Sequence, residues 1–224
     1  MGPPMFEGMM GNGFGLEVLY SFVIILVSLM IYFSTKELYE LSSYKGIKYF
    51  RLSFLFFAIA YFVRSFIKFV MFYFSLGDVR SFHQDIFFGL ITLALFSYFS
   101  SMAIFYLVES VLYKKFNGKM LYVFHVVAII IAFSVLFFIS PRVILTINVL
   151  LLASVFTAYY FSRKEKGKNS LSVIYGLLAL FFTANFIDTI LPDLFRGLQL
   201  WIYLVSISIF LTILYKVLRK VGAS

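Results

Sequence analysis

Tyr61, Arg64, Lys68, Asn148, Asn185 and Asp188 are polar or charged residues set inside long apolar stretches of this chain. An arginine, a lysine and an aspartate surrounded by hydrocarbon-like sequence can bind a polar or anionic solute, carry an ion, or close an internal salt bridge. An unpaired Arg or Lys near a bilayer midplane costs at least about 2.5 kcal/mol, so such residues persist where they are paired or put to use. Phe57, Tyr61, Arg64 and Lys68 follow three- and four-residue spacing, which places them on one stripe of a helix.

Counted from a helix entering hydrocarbon near Leu52, a rise of 1.5 Å per residue sets Arg64 roughly 18 Å and Lys68 roughly 24 Å deep in a core about 30 Å thick. The same count from Leu171 puts Asn185 at roughly 21 Å and Asp188 at roughly 25 Å. The heights overlap, and the sequence predicts an Arg64–Asp188 pair. Ser97, Ser100 and Ser101 on a neighbouring stretch add hydroxyls, so the expectation is a polar pocket open to the outside. A ligand or ion site and a plain lock between helices fit this pattern equally well.

The elements that must position these groups are set by composition. Of 224 residues, 62% are hydrophobic, 21% aromatic and 13% charged, and the mean hydropathy is +0.99. A soluble fold of this length has too little interior to hide that much apolar surface. Apolar runs of about 20 residues predict an all-α, polytopic membrane protein. Seven transmembrane helices are expected at about 16–34, 52–75, 86–112, 120–139, 143–161, 171–191 and 197–217. Residues 1–15 form an extracellular tail containing Met1, Met5, Met9 and Met10, read as an unstructured tail in preference to a soft-metal site.

The formal net charge is +9, and 14 of the 19 Lys and Arg residues fall in alternate connections on one side of the seven helices. That asymmetry marks the cytoplasmic face of a cell-membrane protein, giving an amino terminus outside and a carboxyl terminus inside. It predicts contact with the lipid bilayer and with anionic lipids at the cytoplasmic face, not with nucleic acid.

Tyr32-Phe33-Ser34-Thr35-Lys36-Glu37 closes the first helix, and Tyr160-Phe161-Ser162-Arg163-Lys164-Glu165 closes the fifth in nearly the same order. Extending the comparison sets Tyr61-Phe62-Val63-Arg64 beside Asn185-Phe186-Ile187-Asp188. The chain thus divides into a first three-helix unit (16–112), a linker helix (120–139) and a second three-helix unit (143–218), parallel repeats of one another. In this layout it resembles the SWEET sugar facilitators and, more loosely, the microbial rhodopsins and related seven-helix receptors. The resemblance is one of topology: the first and fifth helices carry no Pro-Gln pair, and Lys216 sits at the inner end of the seventh helix, not midway.

Zero cysteines exclude disulfides and thiolate sites. The motifs of metalloproteases, serine hydrolases and phosphate-binding loops are absent, so no catalytic residue, metal or cofactor is expected and an enzyme is the least supported class. His125 reads as a hydrogen-bonded packing residue, His83 as a loop residue, and Glu109 as an interfacial charge near Lys114. Small-solute or ion transport is the leading expectation. The alternatives are a receptor-like sensor signalling to a separate cytoplasmic partner and an accessory subunit without a ligand.

Overall fold

A computed structural model describes residues 13–75, 82–116, 120–138, 140–164, 169–190 and 199–221, with the side chains of Lys68 and Asp188 outside that description. The methionine-bearing residues 1–12 also lie outside it. The described residues form seven helices: α1 (Gly13–Ser42), α2 (Lys45–Ser75), α3 (Phe82–Phe116), α4 (Met120–Phe137), α5 (Pro141–Lys164), α6 (Asn169–Ile190) and α7 (Gln199–Val221). All but α6 contain a stretch long and apolar enough to cross a membrane; the corresponding stretch of α6, Ser172–Ile187, is shorter.

Several helices run further than the apolar stretches alone suggest. α1 continues to Ser42, where Lys36 and Glu40 face each other one turn apart at 3.7 Å. Its hydrogen-bonded backbone has no reason to stop where the hydrocarbon does. At the other end of α2–α3 the difference is one of assignment: α3 starts at Phe82, so His83 belongs to a helix and not to a loop. Pro141 opens α5, its fixed φ suited to a first helical position, while the Ser140 carbonyl accepts from Val143 and Ile144.

The turn between α1 and α2 is two residues long, with Ser43 at φ 50°. Gly46 follows, where α2 approaches α3 so closely that a Cβ would stand 2.7 Å from the Ser110 carbonyl oxygen. A backbone atom cannot swing aside as a side chain does. Gly46→Ala is therefore expected to lower the melting temperature in detergent by several degrees, and Gly46→Val by more, the range typical of overpacking by one or a few methyl groups. An unchanged melting curve would mean the α2–α3 contact is looser than it looks.

α1 packs on α2, α2 on α3, α3 on α5, α5 on α6, α6 on α7 and α7 back on α1, closing a ring of six helices. α4 lies outside the ring against α3 and touches α5 sparsely. α3, which meets α2, α4 and α5, has 44% of its apolar window buried, against 17% for α4 and 17% for α5; on α4, Tyr122, Ile130 and Phe137 face outward. Apolar side chains cover the outside of the other helices too, including Phe33, Phe62, Leu150, Leu180 and Trp201. Surfaces of that kind belong against lipid. Most of the exposed basic residues collect at one end, Lys36, Lys45, Lys48, Lys114, Lys115, Arg163, Lys164, Arg219 and Lys220 among them, while Arg142 is exposed at the other. Aromatic rings support them, with Arg51 over Tyr32 at 4.8 Å and Lys164 over Tyr160 at 4.5 Å.

Candidate functional site

A cavity of about 320 Å³ opens in the half of the bundle away from the basic end. Its walls come from α2 through α6, which places it between the first three helices and the last three. The polar groups lining it are Tyr61, Arg64, Ser97, Ser100, Ser101, Asn148 and Asn185. The structure therefore brings together Tyr61, Arg64, Asn148 and Asn185 of the sequence-derived set, and with them all three serines of the third helix. Lys68 and Asp188 lie on α2 and α6, one turn beyond Arg64 and Asn185 towards the end opposite the basic residues.

Among the described residues, Arg64 pairs with a carboxylate that the sequence reading does not single out. Its Nη2 donates to Glu17 Oε1 of α1 at 2.5 Å, with the arginine side chain 36% and the glutamate 17% exposed. This carboxylate comes from α1, within the same three-helix unit; the Asp188 side chain of the expected pair lies outside the described residues. Geometry explains why Glu17 was overlooked. α1 and α2 form an antiparallel hairpin, and Glu17 and Arg64 each lie three residues further from its turn than Tyr20 and Tyr61, whose hydroxyls meet, so the two charges stand level. The available signal is an acidic residue at the second position of the first apolar run.

Aromatic residues fix the pair. Arg64 lies over the Phe96 ring, 5.5 Å from its centre. Tyr61, one turn earlier, is buried and shares a 3.3 Å hydroxyl contact with Tyr20, and Tyr20 stacks on Tyr203 of α7 at 4.4 Å. Removing water from three sides strengthens the ion pair and holds one face of the guanidinium towards the cavity.

The opposite wall is set for hydrogen bonding. Asn185 donates through Nδ2 to the Phe181 carbonyl at 2.8 Å. Ser100 donates to the Ser97 carbonyl at 3.3 Å. Among the described residues the Asn148 amide makes no hydrogen bond and the fully buried Ser101 hydroxyl has no partner. Unsatisfied polar atoms facing a cavity favour an occupant that supplies hydrogen bonds.

Other polar residues fall elsewhere. Glu109 is fully buried, not interfacial, and sits within electrostatic reach of Tyr49. Aromatic residues around it explain the burial, because Tyr49 packs against both Tyr106 and Tyr113, one turn on either side of Glu109. His125 is a packing residue whose Nδ1 lies 3.0 Å from the Tyr98 hydroxyl. No cluster of metal-ligating side chains occurs among the described residues.

Fold and site together define an all-α protein with the build of a multi-pass membrane protein and a polar cavity in its helix bundle. A protein of Archaeoglobus fulgidus, described as an uncharacterized protein, is 33% identical over 213 residues, covering 91% of this chain and 92% of its own length. The chain belongs to the family of that archaeal protein. No protein-family model matches the chain, and no solved structure does.

Proposed function

We propose that this protein is a small-solute carrier whose substrate binds in the cavity between two repeated three-helix units. The observation that carries the reading is the cavity itself, about 320 Å³ with Arg64, Asn148, Asn185 and Ser101 turned to one space. That volume suits a ligand of modest size. The Glu17 carboxylate offsets the Arg64 charge, and the other polar groups among the described lining residues are amides and hydroxyls, so an uncharged solute rich in hydroxyl or N–H donors fits better than the anion expected from Arg64 alone.

The ring of helices supports the repeat. Exchanging α1, α2 and α3 with α5, α6 and α7 maps every neighbour contact of the ring onto another one. The register that sets Arg64 beside Asp188 also sets buried Phe50, Phe54 and Phe57 beside buried Ile174, Leu178 and Phe181. The words shared by the first and fifth helices fit less well: Thr35, not Ser34, is the buried counterpart of Ser162. That match reflects a common interfacial composition more than a common face. In this reading α6 is the seventh crossing, the basic end is cytoplasmic and touches anionic lipid, the amino terminus is outside, and the chain has no catalytic role.

The test has two stages. Purified protein is heated with a panel of neutral polyols and sugars, urea-type amides, carboxylates and amines, because a bound solute raises the melting temperature by mass action. Solutes that shift it are then supplied, radiolabelled, to proteoliposomes. At least one neutral donor is expected to enter faster than in empty vesicles, and Asn148→Leu should cut that rate tenfold or more with little change in stability. Absence of any shift and any flux across the panel would leave the sensor or accessory-subunit reading in its place.

A further inference from the structure

A second cavity, about 270 Å³, lies at the basic end, where α1, α2, α3, α5, α6 and α7 all contribute to its lining. Thr35, Ser42 and Ser162 line it, and each hydroxyl donates to a carbonyl of its own helix, Ser42 also accepting from the Tyr44 N–H. Ser110 and Tyr175 share a short hydroxyl contact beside them. The space therefore offers hydroxyl groups within an apolar wall, as the Ser97, Ser100 and Ser101 side of the first cavity does, with the exposed Lys220 also among its lining.

Between the two cavities stands a column of aromatic rings. Phe57 and Phe181 form the floor of the first cavity, and Phe50 and Tyr175 line the second. Phe54 and Phe210, each fully buried, fill the space between. The ring centres run without a break: Phe57 to Phe54 at 6.1 Å, Phe54 to Phe50 at 5.0 Å, Phe50 to Tyr175 at 6.1 Å, and Phe210 to Phe181 at 4.8 Å, to Phe54 at 6.2 Å and to Phe57 at 6.4 Å. From Phe50 to Phe57 the column is about 10 Å tall, a third of a hydrocarbon core.

We infer that the two cavities are successive stations of one route through the bundle for the same uncharged donor-rich solute, and that the Phe54–Phe210 layer is the barrier between them. This rests on the carrier reading for its use but not for its test. The rings come from α2, α6 and α7, so a shift of one unit against the other is enough to part them, whereas each cavity keeps its walls.

The absence of cysteine makes the layer directly testable. Single Ser97→Cys and Leu38→Cys variants place a thiol in the first and second cavity respectively. A membrane-impermeant anionic methanethiosulfonate is added to one side of oriented proteoliposomes at a time. Each thiol is expected to react at least tenfold faster from one side, with opposite preference for the two positions. Adding Phe54→Ala and Phe210→Ala together should collapse both ratios towards one, and the gentler Phe54→Leu and Phe210→Leu pair, which keeps the fold more securely, should lower them partway. The inference is overturned if the ratios persist in the folded leucine and alanine variants, if both thiols react from one side, or if neither reacts. Collapse of the ratios without flux of any panel solute would keep the barrier and discard the carrier.

Discussion

Replacing Glu17 with alanine is expected to destabilise the protein by about 2 to 3 kcal/mol, with a matching loss for Arg64→Ala and almost no further loss when both are combined. Breaking a buried ion pair strands the other charge, and the usual cost is about 3 to 5 kcal/mol for full burial. Arg64 keeps 36% of its side chain exposed, which lowers the figure. The coupling between the two positions, read from reversible unfolding in mixed micelles, should be about 2 kcal/mol. Glu17→Met with Arg64→Met should regain most of the loss, since packed apolar side chains replace such pairs at little cost. The same series settles the competing partner. If Asp188 were the counter-charge, Asp188→Ala would reproduce the Arg64→Ala loss and Glu17→Ala would do little.

That partner shows where sequence reasoning ends. Helices, their apolar faces and the stripe carrying Tyr61 and Arg64 follow from periodicity and from the need of a backbone in lipid to bond to itself, and the described helices agree with them. The company of Arg64 depends on which helices are neighbours and on how far a flexible side chain leans. Neither is encoded in spacing along one helix. Glu17 sits near the start of α1, where a carboxylate reads as interfacial, and it becomes a partner because the hairpin turn at Ser43 brings α1 and α2 to a common height. Glu109 errs the other way. Its position near Lys114 reads as an interfacial charge, but α3 packs against α2, α4 and α5 and buries it fully, and that enclosure is a property of the assembled bundle. Asn148, Asn185 and Ser101 were legible as polar residues at compatible depths, while their convergence on one cavity needed the fold.

Phe210→Ala is expected to produce the largest loss of any single aromatic substitution among the described residues, about 3 kcal/mol. Phe210 is fully buried and its ring meets Phe54, Phe57 and Phe181, so truncation removes contacts on three sides at once. In water such a change costs about 3 to 5 kcal/mol, of which part is lost transfer from solvent and part is the void. Within lipid the transfer part is small, because hydrocarbon tails are as apolar as the interior. The contact part remains, since a gap too small for lipid leaves the facing rings without neighbours. This predicts a sharp contrast with Phe33 or Phe62, which are exposed on the outside of the bundle and should cost less than about 0.5 kcal/mol when truncated. Phe57 and Phe181, at matching positions of α2 and α6, should lose similar amounts to each other. Unfolding free energies that rank Phe62 beside Phe210 would mean the ring layer is not packed, and with it the separation of the two cavities would go.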